Sequence, residues 1–424
     1  MRFIPLLALT LGLAVPLRAA EPARIPLVYC TDLYHPHIDA DDHIDLATVF
    51  ALPEFDLKAI LLDDGGLQEK RPGRVPVEQM LRLTGRRVPY AIGLAALKSP
   101  SDTGGDQPPA HQAAVELLLK VLRASDRPVT IVTAGSVRDV AAALNREPQL
   151  LRKKVAGLYI NIGNSEIGGD EYNVAIDRVA YRRLLGSGLP TWWFPCFPAT
   201  GRATTYFRFP RFPDALRSAP AGLRNYFLYA IRHIDPAVQD PVAALTADLG
   251  PPDAALAQAP SFRGGKEMWC TPSLLSAAGR KCYRVGGRFV AATVPPAGAE
   301  EVTVYTFVPA RVEVDVQGKP TRIELDATGS NLRVIRLADP ALYTQAMNDC
   351  LVDLFEHFET PRQSPPPDRS PSFPRSSVGM PSATLRVVSP AWRAPEDAER
   401  PGRHSHAERG NERAIRAVRH ETQE

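Results

Sequence analysis

Apolar runs of six to nine residues, rich in β-branched side chains, alternate along the first half of the chain with segments whose apolar positions recur three and four apart. The runs are IPLVYC (25–30), LKAILLD (57–63), VTIVTAG (129–135), VAGLYINIG (155–163) and LPTWWFPCF (189–197). Apolar runs without polar alternation suit strands buried on both faces, as parallel sheets require. Between them lie HIDLATVFAL (43–52), VPVEQMLRLTG (75–85), PAHQAAVELLLKVLRAS (109–125) and SVRDVAAALNREP (136–148), whose periodicity is helical. Strand and helix in alternation predict an α/β fold: a mainly parallel open sheet with helices on both faces.

From Cys282 to Leu337 the period changes to two, with no helical segment between the runs. The pairs Gly286-Gly287 and Gln317-Gly318 suit hairpin turns, so this stretch predicts a small antiparallel β extension. YTQAMNDCLVDLFEHF (343–358) predicts a closing amphipathic helix. Residues 361–424 are rich in Pro, Ser and Arg and poor in apolar side chains, which predicts a disordered tail. At the other end, Arg2, an apolar run and the small residues Ala19 and Ala20 give residues 1–20 the layout of a signal peptide, with export to the periplasm or exterior expected. That run is short for a bilayer span of about 20 residues and is broken by Pro5 and Pro16, so no membrane association is expected once it is removed. A single domain over 21–360 remains.

Composition narrows the function. With 44% hydrophobic and 23% charged residues the chain has the makings of a large core. Its 50 basic side chains nearly balance 47 acidic ones, so no nucleic-acid partner is expected. Of five cysteines, Cys30, Cys196 and Cys350 read as small buried hydrophobes, and Cys270 with Cys282 is the pair an oxidising compartment would permit to bridge.

Ligands of open α/β sheets bind beyond the carboxyl ends of the strands. The first strand runs into TDLYHPHIDADDHID, which carries Asp32, Asp39, Asp41, Asp42 and Asp45 within fourteen residues, together with His35, His37 and His43. Such crowding is costly unless a cation or solvent compensates it, and carboxylates without nearby thiols favour Ca²⁺ or Mg²⁺. The alternative is a solvated acidic loop in which Asp41 or Asp42 is the N-cap of the following helix.

The segment from Val28 to Asp63 resembles the amino-terminal signature of the inosine-uridine nucleoside hydrolase family: an apolar strand ending Asp-x-Asp-x-x-x-Asp-Asp, a helix, a Pro-Glu pair and a second strand. Cys30, Asp32, Asp41, Asp42, Pro53 and Glu54 hold the corresponding positions, with five extra residues between Asp32 and Asp41. Three further segments follow in the family's order: the strand, glycine turn and helix over 129–163, EYNVAID (171–177), similar to Glu-Phe-Asn-x-x-x-Asp, and QDPVAAL (239–245), similar to a His-Asp-Pro motif.

The resemblance implies Ca²⁺ held by Asp32, Asp42, Asp240 and the carbonyl of Ala134. It implies Asp32 as the base that activates a metal-bound water, and Asp41, Glu171 and Asn173 as sugar-binding residues. The implied activity is hydrolysis of the N-glycosidic bond of a ribonucleoside or related small glycoside, in a family whose members are commonly homo-oligomers, dimers or tetramers. Three positions depart from the pattern. Cys30 replaces the first aspartate, Gly66 (or Asp64) stands where asparagine is usual, and Gln239 replaces a histidine that helps to protonate purine leaving groups. His35, His37 and His233 are the candidates to supply that acid, while Trp192 and Trp193 read as core residues. The departures leave a second reading open, a weakly active or inactive calcium-dependent sugar- or nucleoside-binding protein of the same fold. An aspartyl phosphatase is a weaker third, because the Asp-x-Asp-x-Thr arrangement is missing.

Overall fold

The computed structural model describes residues 23–37, 40–65 and 68–360; the leader expected at 1–20 and the tail expected at 361–424 lie outside them. In chain order the strands are Ile25–Thr31 (β1), Phe55–Leu62 (β2), Tyr90–Ile92 (β3), Val129–Ala134 (β4), Val155–Asn161 (β5), Thr191–Phe194 (β6), Phe207–Phe209 (β7), Lys266–Met268 (β8), Lys281–Val285 (β9), Arg288–Ala292 (β10), Glu300–Glu301 (β11), Tyr305–Val314 (β12), Pro320–Leu325 (β13) and Leu332–Leu337 (β14). Nine of them form one sheet in the order β13-β12-β14-β6-β5-β4-β1-β2-β3. From β14 to β3 every pairing is parallel, and β12 and β13 add an antiparallel edge.

Successive residues of β1 face opposite sides, so Leu27 and Tyr29 enter one core while Val28 and Cys30 enter the other. Two cores need apolar residues at every position of the central strands, which is why their runs do not alternate. Each buried Val or Leu contributes about 1.5–3 kcal/mol of transfer free energy, offset by lost chain entropy. The helices Asp41–Ala51 (α1) and Arg74–Thr84 (α2) cover the first face, and Ala113–Ala124 (α3) and Arg138–Arg146 (α4) the second. After α4 come Pro148–Lys154 (α5), Tyr172–Ile176 (α6) and Arg178–Leu185 (α7). The final helix, Pro340–Glu356, contributes Tyr343, Met347, Cys350, Leu351 and Phe355 to the first core.

The β-rich stretch expected over 282–337 divides between two sheets. β9, β10 and β11 form a separate three-stranded antiparallel sheet, whereas β12, β13 and β14 extend the main sheet. Alternation reports that one face of a strand is buried and says nothing of which edge it joins. The Cys270–Cys282 bridge is also corrected: all five cysteines are free and buried, the Cys350 thiol hydrogen bonds to Cys282, and that of Cys270 bonds to Asp45. Spacing in sequence does not reveal that the final helix carries Cys350 to Cys282.

Candidate functional site

The chain builds outward from β1 in both directions, with β2 and β3 on one side and β4, β5 and β6 on the other. The reversal leaves a crevice at the carboxyl ends of β1 and β4, the switch point at which open α/β sheets bind ligands. Asp32 emerges there. Its N–H donates to the Ala134 carbonyl at 3.1 Å, and its own carbonyl accepts from Gln68 Nε2 at 2.7 Å. Its side chain is nearly buried, and burial, with Asp42, Asp63 and Asp41 nearby, holds the carboxyl well above the usual carboxylate range.

Gly135, directly after β4, permits this close approach, since a Cβ there would lie 2.7 Å from Asp32 N and 2.9 Å from Asp63 Oδ2. Asp63 is a buried carboxylate beneath Asp32 that sequence reading missed as a site residue. It follows β2, donates its N–H to the Thr31 carbonyl at 2.9 Å, and accepts from Ser136 N at 2.7 Å and Ser136 Oγ at 2.8 Å. The available signal was an acid at the carboxyl end of the strand next to β1.

Arg138, 1% exposed, was missed as well. Its guanidinium donates to the carbonyls of Asp64, Leu94 (2.9 Å) and Ile176 (3.2 Å) and lies 3.7 Å from an Asp177 carboxylate oxygen. Asp177, the last residue of the EYNVAID motif, also accepts from Ala180 N and Leu97 N, at 2.8 and 2.9 Å. Three loops at the strand ends are thereby joined through one cation.

Asp41 and Asp42 occupy the first turn of α1, where the helix dipole favours negative charge. Neither is the N-cap: that position is Ala40, which makes no side-chain capping bond. Asp42 Oδ2 lies 3.5 Å from His37 Nε2, and Thr31 Oγ1 lies 3.5 Å from Asp42 Oδ1. The His37 ring stacks on Tyr34 at 4.0 Å and meets His43 edge-on at 5.6 Å. Ligand atoms of His37, Asp41 and Asp42 all fall within 4.8 Å of one another, the one such metal-competent group among the described residues.

His35 Nε2 donates to the Ile234 carbonyl at 2.8 Å, and its ring stacks on Tyr229 at 5.0 Å. Burial pushes its pKa down to about 4, so the ring is neutral near pH 7. His43 is 1% exposed, is pushed down for the same reason, and neither ring nitrogen has a partner among the described residues. His233 lies exposed at the end of the helix Ala221–Ile231 with φ of +50°.

Asp240 is exposed and caps the short helix Pro241–Ala244, with Oδ1 accepting from Ala243 N at 2.6 Å. Neither Asp240 nor Asp32 belongs to the group formed by His37, Asp41 and Asp42. Asp240 nevertheless lies on a segment tied to the histidine loop. Beside the His35 bond, Tyr229 Oη donates to the Gln239 carbonyl and Gln79 Nε2 to that of Pro241, both at 2.8 Å. Glu171 caps α6, and its two oxygens accept from Asn173 N, Val174 N and Gly163 N at 2.9, 3.0 and 2.9 Å. Asn173 Nδ2 donates to the Asn161 carbonyl at 3.1 Å. Between them, Tyr172 is 41% exposed, hydrogen bonds to Gln68 and feels the charges of Asp32 and Asp42. Trp193 is buried and donates to the Ile162 carbonyl at 2.7 Å, as a core residue should.

The family model of the inosine-uridine preferring nucleoside hydrolases matches residues 37–344. The chain is 32% identical over 187 residues to the pyrimidine-specific ribonucleoside hydrolase RihA of Enterobacter sp. (strain 638), covering 39% of this chain and 58% of that protein. It is 31% identical over 171 residues to RihA of Escherichia coli O1:K1 / APEC, covering 35% and 55%. The matched part thus spans little more than half the length of these relatives. Among solved structures, a purine-preferring ribonucleoside hydrolase from Gardnerella vaginalis aligns with a TM-score of 0.46 at 16% identity, over 78% of this chain and 99% of that one.

Proposed function

Because the chain belongs to the inosine-uridine preferring nucleoside hydrolase family, we propose that it hydrolyses the N-glycosidic bond of a ribonucleoside or related small glycoside at the crevice between β1 and β4. The observation that carries this reading is the convergence of Asp32, Asp41, Asp42 and Asp63 at the switch point of the sheet. Four carboxylates in so little solvent call for a divalent cation, and the donor atoms of Asp41, Asp42 and His37 are spaced to hold one, with Asp32, Asp240 and the Ala134 carbonyl as the further ligands the family pattern supplies. Calcium is the ion that pattern implies. A divalent cation supplies Lewis-acid chemistry, lowering the pKa of water beside it.

Asp32 is the group placed to take a proton from the attacking water. Its backbone is fixed on both sides by Ala134 and Gln68, and a cation beside it would keep the carboxylate ionised, as a base must be. Breaking the glycosidic bond leaves positive charge on the sugar ring, which carboxylates beneath the ring stabilise. Asn173 serves the sugar hydroxyls, and Asp41 would offer one carboxylate oxygen to them and the other to the cation. Glu171, with both oxygens held by backbone N–H groups, keeps the Asn173 turn in place. The leader sequence at 1–20 supports export, which mass determination of the mature amino terminus would check.

Purified protein incubated with a panel of purine and pyrimidine ribonucleosides should release free base and ribose, and a chelator should abolish release until a divalent cation is restored. The second reading, a binding protein, is favoured by Cys30 and Gln239. It predicts cation-dependent sugar binding with no release from any nucleoside.

A further inference from the structure

We propose that the metal site of this chain has a mixed nitrogen and oxygen donor set, with His37 as a direct ligand beside Asp41 and Asp42, and that it prefers a first-row transition-metal dication to calcium. The proposal rests on the reading of the strand-end crevice as a metal-dependent centre, and concerns which ion that centre selects.

Three observations carry it. The first is the grouping itself: among the described residues, the side chains whose donor atoms close to within 4.8 Å are one imidazole and two carboxylates, not carboxylates alone. The second is the spacing of His37 and Asp42. His37 Nε2 lies 3.5 Å from Asp42 Oδ2. Two donors sharing one ion stand about 3.4 Å apart either at about 2.1 Å with a tetrahedral angle or at about 2.4 Å with a right angle, so the separation suits a shared cation and the identity of the donors selects among ions. The third is the surroundings of the ring. Stacking on Tyr34 at 4.0 Å fixes its plane, and the adjoining His43 is a 1% exposed imidazole with both nitrogens unpartnered among the described residues. Two imidazoles thus stand against the acidic pair, His37 from the loop before α1 and His43 from α1 itself.

The chemistry discriminates between ions. Calcium takes oxygen ligands and gains little from imidazole. Zinc and manganese accept one imidazole with two carboxylates, and zinc binds nitrogen donors the more tightly of the two.

The test uses the full mature chain without a polyhistidine tag, stripped by chelation. Calorimetric titration with Zn²⁺ and with Ca²⁺ should give at least about tenfold tighter zinc binding, and His37→Asn should reduce zinc affinity by at least about tenfold while leaving calcium affinity within about twofold. Independently of whether that variant folds, pulsed paramagnetic resonance of Mn²⁺ bound to the unaltered chain should show coupling to an imidazole nitrogen. Calcium binding as tight as zinc, or manganese without nitrogen coupling, would overturn the proposal while leaving nucleoside hydrolysis intact. Nitrogen-coupled manganese in a protein that cleaves no nucleoside would instead uphold it and defeat the hydrolytic reading.

Discussion

Gly135 shows how little room the crevice leaves. The Cβ that Gly135→Ala adds would contact the Asp32 backbone and the Asp63 carboxylate, groups fixed by β1 and by Ser136. The substitution is expected to destabilise the fold by about 1–3 kcal/mol and to slow turnover by displacing Asp32. Thermal denaturation and initial rates measure the two effects. Asp139 offers a test by pH. It is buried, accepts from Leu94 N at 3.0 Å, and burial with Asp63 nearby raises its pKa to about 7, against about 3.9 for an unfolded aspartate. The folded state thus holds this proton more tightly than the unfolded one. Its stabilising effect is full below about pH 4 and is lost as pH rises through 7. Asp139→Asn keeps an acceptor for Leu94 and removes the charge. The variant should gain on the parent by up to a few kcal/mol between pH 5 and pH 8, read as melting temperature at each pH. At this scale the motif aspartates were legible because carboxylates crowded in sequence demand explanation. Asp63 and Arg138 were not, since each acquires its role from a neighbour on a different strand or loop, and His37 was named only as a candidate leaving-group acid. Cys30 was legible as a departure, and its surroundings make sense of it: with Asp63 and Asp139 already nearby, burial holds its thiol up in the neutral form.

The elements followed their patterns closely, with β1 at Ile25–Thr31, β4 at Val129–Ala134 and α2 at Arg74–Thr84, ending at Gly85 with φ of +64°. What pattern could not supply was the function of each terminus. Capping was the alternative reading for Asp41 and Asp42, which instead sit in the first turn of α1, and it was also the alternative for Glu171, which does cap α6. Helix caps use the same polar residues as binding sites, so sequence alone does not separate them. Glu171→Ala strips an acceptor from three N–H groups and should cost about 1–3 kcal/mol of stability. Through the loosened Asn173 it should raise KM for nucleoside more than it lowers kcat. Arg138→Met should be more damaging, about 3–5 kcal/mol by chemical denaturation, because it leaves Asp177 buried beside an apolar side chain.

For the molecule as a whole, alternating strand and helix sufficed to foresee a parallel sheet with two cores and a crevice at its strand ends. The joining of β12, β13 and β14 to the far edge of that sheet was not foreseeable, because edge pairing depends on contacts between distant segments. All the family-like segments named from sequence meet or border one end of the sheet, from Asp32 and Ala134 through Glu171 and Asn173 to the Gln239–Pro241 turn bonded by Tyr229 and Gln79. The central claim is that Asp32 in this crevice cleaves nucleosides. It is tested most directly by release of ribose from a ribonucleoside panel by the unaltered chain and by Asp32→Asn, with circular dichroism confirming that both are folded. We expect release by the unaltered chain and a loss of about 10²–10⁴-fold in the variant. Equal rates for the two proteins, or no release from any nucleoside with any divalent cation, would contradict it.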